Sequence, residues 1–504
     1  MFLLVLAVIF VTFVGAVIWS IQKILTEDLD EIPSDVLESL GKYGRRMGSN
    51  ECFYEFENGH KNLYDSNVIF LESKVRLSQQ LVVRSLAYIW KRHPLLRCKI
   101  FKYKLHSRKI VMFFKEMTSE PQLDFKVIDT LDWQEVLHEE FQKEFNSEQG
   151  PLWRSRMLQG ELGVDNRWRY SFVFTFHHAI VDGAAIVQIY REFIQNLEIL
   201  ITGSEPAVES LPMMPCVEDV FADEMKLSMY DKLKHYVLYA WQNARNAENT
   251  TEIGKNMVKT FKTNEKPSTK LFPIQFDTNE TGFILRKCKE QGVRVHSLCT
   301  MAVATALLAL LDKYHVETNQ PLRLVTAHLA SLRNFGRNPV GNDTMGTYIS
   351  MPAIRQILKL PSAVTKRQFW KMAEKFQSRL YRHLNKEHMK RRKLISLQKS
   401  ITEESVAVSH LLREEWQRPF DIVMFNRGHH KLQGDDSEER PIKFLNTFFG
   451  IGANNDYTTH LGHYICTVDG RMSWTFQYRS QLMSTEVAAD YCRLIKMTLF
   501  EYCE

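Results

Sequence analysis

The chain has 504 residues, with 65 Lys and Arg against 59 Asp and Glu, for a formal charge of +6. Apolar residues are 44% and charged residues 25%, which excludes a disordered, collagenous or fibrous chain. A charge this dilute gives no sign of a nucleic-acid partner, and none is expected.

Met1 to Gln22 carries no charged side chain. A membrane-spanning helix needs ~20 apolar residues, and this run supplies them. It has no basic n-region and only Gly15 and Ala16 as a poor cleavage site, so a retained anchor is expected rather than a cleaved signal. Lys23, Lys42, Arg45 and Arg46 follow it, which places the bulk of the chain on the cytosolic side. The sequons at Asn249, Asn279 and Asn342 point the other way, but a chain of this composition holds such triplets by chance. The expectation is a single-pass membrane protein of the endoplasmic reticulum.

Residues 63–72 read as a strand and Ser78 to Arg92 as an amphipathic helix that Pro94 ends. Strands are expected at Cys98–Leu105 and Lys109–Phe114, and a helix at 132–146. Arg169 to Phe176 alternates aromatic and β-branched residues and reads as a strand, and Ala184 to Leu197 as a helix. Met225, Met229, Leu233, Val237 and Trp241 recur every four residues, on a helix packed against the body or lying in the membrane interface. Asn264 to Lys270 looks like a linker. A strand at Leu271–Phe276 follows. Ser297 to Leu311 is apolar on all sides but too short for a second span, so it reads as a buried helix. Leu322 to Ala330 is a strand, Val340 to Met351 a loop and strand, and Ser362 to Leu397 a basic helical stretch. Several strands occupy 421–478, and Thr485 to Tyr502 is a final helix. Interleaved helices and strands make the class α/β or α+β in two lobes.

Eight scattered cysteines form no CxxC pair, which argues against a zinc ribbon, a thioredoxin-like site or a disulfide framework. No metal site is expected. The chemistry concentrates in His177-His178-Ala179-Ile180-Val181-Asp182-Gly183, where a strand gives way to a helix. Alternation along a strand lets only one of the two histidines face a given cleft. A histidine near neutral pKa is the usual base for taking a proton from a hydroxyl or amine. Asp182 suits a helix cap, and Gly183 suits close approach of another group. The plain alternative is a packed histidine pair with an Asp cap.

HHxxxDG resembles the active-site signature of the superfamily of chloramphenicol acetyltransferases, peptide-synthetase condensation domains, plant hydroxycinnamoyl-type acyltransferases and wax ester synthase/diacylglycerol acyltransferases. Arg92-His93-Pro94-Leu95-Leu96-Arg97 resembles the RHPxLR segment of condensation-type domains. Pro151-Leu152-Trp153 resembles the PLW of wax synthases, Gly292-Val293-Arg294-Val295 a GVTV segment, and Ser331-Leu332-Arg333 with Gly341-Asn342 an LR…GN stretch. The plant-type DFGWG is absent; Phe448-Phe449-Gly450-Ile451-Gly452 is nearest, and Phe425-Asn426-Arg427-Gly428 only echoes the wax-synthase SNVPG.

The resemblance covers roughly residues 45–500. It implies two chloramphenicol-acetyltransferase-like lobes, at 23–264 and 265–504, with a tunnel between them and the anchor at 1–22 in front. It assigns His178 as general base, Asp182 as the holder of the loop, with Arg333 its candidate partner, and His177 as structural. It implies a membrane-anchored O-acyltransferase moving an acyl group from acyl-CoA, a co-substrate with no further cofactor, to a hydroxyl acceptor. A lipid alcohol of the wax ester or acylglycerol type is the sharper expectation. A small alcohol or amine acceptor, or a silent binding protein of the same fold, are the alternatives. Membrane lipid is the expected partner and the chain is expected to be monomeric. The coenzyme phosphates are candidates for Lys390, Arg391, Arg392 and Lys393, a run equally suited to a solvated face or anionic lipid.

Overall fold

The computed structural model describes residues 32–504 except 61, 106–109, 118–122, 227, 229, 232–251, 319–320, 336–338, 351–353, 384–419, 434–438 and 454–460. The expected anchor at 1–22, the periodic stretch from Met229 to Trp241 apart from Tyr230 and Asp231, and the basic run at 390–393 lie outside the described residues.

The described strands are β1 (Arg45–Arg46), β2 (Asn62–Ser73), β3 (Cys98–Lys104), β4 (Ile110–Glu116), β5 (Phe125–Ile128), β6 (Trp153–Leu158), β7 (Glu161–Leu162), β8 (Trp168–His177), β9 (Thr269–Gln275), β10 (Leu322–His328), β11 (Ile354–Leu360), β12 (Ile422–His430), β13 (Ile442–Ala453), β14 (Leu461–Val468) and β15 (Arg471–Arg479). They form two large mixed sheets, ordered β13-β2-β8-β6-β5 and β11-β10-β12-β14-β15-β9, and a small one, β1-β4-β3. The fold is mixed α/β.

β8 is the spine of the first sheet. Its aromatic residues bury both faces between β2 and β6, as continuous apolar runs do in central strands. The register sets Tyr64 opposite His177 and Asp65 opposite Phe176. The signature therefore begins where the strand runs out, beside the start of β2. β13 comes from the second half of the sequence yet pairs with β2 along its length, from Ile442 opposite Ser73 to Ala453 opposite Asn62. One strand thus crosses the boundary expected at 264/265. β13 also reaches the second sheet: Gln477 accepts from the Ile451 amide at 3.0 Å and donates to the Ile451 carbonyl at 2.8 Å. Gly450 permits this approach, since a Cβ there would lie 2.8 Å from the Gln477 side-chain oxygen.

Among the described helices, Val295–Lys313 is the one long and apolar enough to cross a membrane, and it is mostly buried. Met301, Ala302, Leu307 and Leu310 fill the core of the second half. The helix Gln79–Arg92 stops at His93-Pro94 as expected. The helix expected over 132–146 ends at Gln142 instead. There the Arg154 guanidinium takes the carbonyls of Glu140 (3.0 Å) and Lys143 (2.6 Å), satisfying groups that a further turn would have used. Within 340–350 the expected strand is reduced to one bridge, Ser331 to Ile349. The Tyr348 amide is spent on Asp182 rather than on a ladder.

Candidate functional site

The two histidines occupy the turn between β8 and the helix Gly183–Ile201. His178 is buried, and its Nδ1 lies 3.1 Å from the Val181 carbonyl. A carbonyl only accepts, so Nδ1 carries the proton and Nε2 presents a bare lone pair. No described residue hydrogen-bonds that Nε2. Burial lowers the proton affinity of this imidazole below its ordinary value; the Asp65 carboxylate and the backbone hydrogen bonds oppose the shift. Tyr54 covers one ring face, nearly parallel at 16° and 4.2 Å between centroids.

His177 is held differently. Its Nδ1 accepts from the Ala179 amide at 3.2 Å, so Nε2 is protonated and donates to Glu55 Oε2 at 3.1 Å. Glu55 also receives Ser147 Oγ (2.7 Å) and Lys102 Nζ (2.9 Å). Burial pushes the Glu55 carboxyl up, but His177 and Lys102 outweigh it and hold it at about 2. With both ring nitrogens engaged, His177 is a strut rather than a free base.

Asp182 turns away from His178 and collects donors. It caps the following helix by accepting from the amides of Ala184 (3.1 Å) and Ala185 (3.0 Å). Arg333 Nε reaches its two oxygens at 3.1 and 2.9 Å, and the Tyr348 amide donates at 3.0 Å. Arg333 is itself fully buried and donates to the carbonyls of Gly341, Thr344 and Gly346. Beside it the Thr347 hydroxyl donates to the carbonyls of His178 (2.7 Å) and Val181 (3.1 Å). The loop that carries the histidines is therefore tied to the second half of the chain by side chains on both sides.

A second buried ion pair crosses between the halves. Arg427 Nη2 contacts both Asp65 oxygens, at 2.8 and 2.9 Å, and Nη1 donates to Asn67 at 2.6 Å. The guanidinium lies over the Phe449 ring, 3.5 Å from its centroid. Its side chain runs across Gly183, where a Cβ would sit 2.7 Å from Arg427 Cγ. The glycine of the signature is thus required by a neighbour 244 positions away in the chain (427 minus 183).

A family model described as the condensation domain matches residues 53–501. The chain belongs to the condensation-domain family. Solved structures with the same fold include the TRI3 trichothecene 15-O-acetyltransferase from Fusarium sporotrichioides, at 12% identity and TM-score 0.66, covering 91% of this chain and 95% of that one. The epimerization domain from the third module of tyrocidine synthetase B shares 15% identity at TM-score 0.63, covering 92% of this chain and 97% of that one. The starter condensation domain of rhizomide synthetase, solved with C8-CoA and Leu-SNAC, shares 11% identity at TM-score 0.57, covering 94% and 96%. No curated protein matches the sequence significantly.

In this condensation domain the stretches Pro151-Leu152-Trp153 and Arg92 to Arg97 converge on the signature. The His177 amide donates to the Leu152 carbonyl at 2.9 Å, and Trp153 Nε1 donates to the Leu96 carbonyl at 3.3 Å. Arg92 and His93 both grip Glu192, on the helix that follows the signature, at 2.9 and 2.7 Å. Arg45, counted above among the charges flanking the anchor, is committed to Glu51 at 2.7 Å and to the Met214 carbonyl. Tyr54, Glu55, Asp65, Thr347 and the role of Arg427 were not foreseen. The helix Ser49–Asn58 supplies Glu51, Tyr54, Glu55 and Asn58 from one face, a spacing of three and four that was readable in the sequence.

Proposed function

We propose that this condensation domain is an acyltransferase in which His178 is the general base. The observation that carries the reading is the tautomer: Nδ1–H is committed to the Val181 carbonyl, so Nε2 is left to accept a proton. The acceptor O–H bond breaks and its proton passes to Nε2. The oxygen attacks the carbonyl carbon of an acyl thioester, and the thiolate leaves, taking the proton back from the imidazolium. No covalent acyl-enzyme is needed. The donor in this reading is acyl-CoA, which the C8-CoA bound to the rhizomide synthetase domain supports. The O-acetyl transfer named for the Fusarium relative supports a hydroxyl acceptor. The uncharged run at 1–22 supports a membrane anchor, and with it a lipid alcohol met in a tunnel between the halves.

The test is release of CoA from acyl-CoA by microsomes carrying the full chain, offered long-chain alcohols, diacylglycerol, small alcohols and amines. His178→Ala is expected to lower kcat by about 10²–10⁴-fold, the usual worth of a general base. Full activity in that variant overturns the base. Turnover confined to small alcohols or amines overturns the lipid acceptor.

A further inference from the structure

His178 must become an imidazolium in a buried position once it takes the acceptor's proton, and a buried cation without a compensating charge is costly. Three buried carboxylates belong to the elements that hold it. Glu55, from the helix Ser49–Asn58, faces His177 and Lys102. Asp182 faces Arg333 and two helix amides. Asp65 stands on β2 with Arg427 of β12 bound to it and Asn67 Nδ2 donating to it at 3.0 Å. Tyr54, stacked on the ring, and Thr347, bonded to the His178 carbonyl, carry no charge.

We propose that Asp65 and Arg427 are positioning residues of the candidate site: Asp65 is the counter-charge for the His178 imidazolium, and Arg427 fixes that carboxylate and moderates its charge. The inference rests on the reading of His178 as base. Three observations carry it. The pair is buried on both sides, with each side chain 5% exposed. It is anchored on the signature itself, because Arg427 packs against the Cβ-less face of Gly183. It is also oriented, since both guanidinium ends are consumed by Asp65 and Asn67 while Phe449 backs the plane. Among the charges around His178, Asp65 acts most strongly to favour protonation and Arg427 acts against it. The register places the pair beside that ring: Asp65 lies directly opposite Phe176 in the β2–β8 ladder, two residues before His178 in the chain.

The experiment follows the His178 ring signal in full-length protein with ¹³Cε1-labelled histidine, assigned by its loss in His178→Ala. Asp65→Asn is expected to move the titration to lower pH and Arg427→Gln to higher pH, each by about half a unit or more. The double variant is expected to return near the parent. Arg427→Lys keeps the charge and is expected to titrate near the parent even if its melting temperature falls. Shifts of the same sign overturn the proposal. So does an unmoved ring, or no titration in Arg427→Gln above the pH of acid unfolding. The acid limb of kcat/KM is measured on the same variants. If the ring moves as expected and the limb does not follow, the pair's influence stands and the base assignment falls.

Discussion

A base must be neutral to work, and burial favours the neutral form of His178. Its proton affinity is depressed, so the neutral fraction persists as pH drops through the ordinary histidine value of 6.5. The acid limb of kcat/KM is therefore expected to have its midpoint below about 6.5, with activity flat from there toward neutrality. A limb centred above 7 contradicts the assignment. Tyr54 bears on the same ring by shape rather than charge. Its stack on the imidazole adds to the Val181 hydrogen bond in opposing rotation of the ring about Cβ–Cγ. A stacked pair is worth about 0.5–1.5 kcal/mol, so Tyr54→Leu is expected to lower kcat by about 2–10-fold with KM nearly unchanged. Tyr54→Phe keeps the ring and is expected to stay within about twofold of the parent. Equal loss in both variants would make the hydroxyl, not the stack, the relevant group.

The helix Gly183–Ile201 is where residue and element meet, because its first residue faces Arg427 and its cap faces Arg333. Gly183→Ala tests the first contact. Alanine is the better helix former by about 1 kcal/mol, and on propensity alone it would stabilise. The added carbon meets Arg427 Cγ at 2.7 Å, and overpacking of that kind costs about 1–3 kcal/mol. Steric cost wins: the variant is expected to melt lower and to lose kcat as Arg427 is pushed off Asp65, both checked by thermal unfolding and single-turnover rates. The two ion pairs also show what was legible. Asp182 and Arg333 each sit in a quoted motif, so their pairing was expected and is present. Asp65 and Arg427 are 362 residues apart; Arg427 lies in the stretch that only echoes SNVPG and Asp65 in no quoted motif, so nothing short of the fold joins them. The helix Ser49–Asn58 was missed for a different reason. Its buried face is polar, with Glu51, Glu55 and Asn58 turned inward, and apolar periodicity finds only greasy faces.

At the scale of the whole molecule the sequence suggested two lobes in series, because local patterns report elements and not which sheet receives them. Strand β13 breaks that series. It closes the free edge of β2, and Phe448 stacks on Trp133 of the first half at 11° and 5.5 Å. It also carries the Phe449 ring beneath Arg427, so the candidate site draws on it directly. A fragment of residues 32–264 would expose β2, whose Val68, Ile69 and Leu71 are fully buried in the intact chain. An uncovered apolar strand edge pairs with other copies. This fragment is expected to aggregate when produced alone, and to become soluble when residues 265–504 are produced with it, the two eluting together on gel filtration. A monomeric 32–264 fragment with its own cooperative melt would show instead that β13 is dispensable, and that the first half holds its sheet without it.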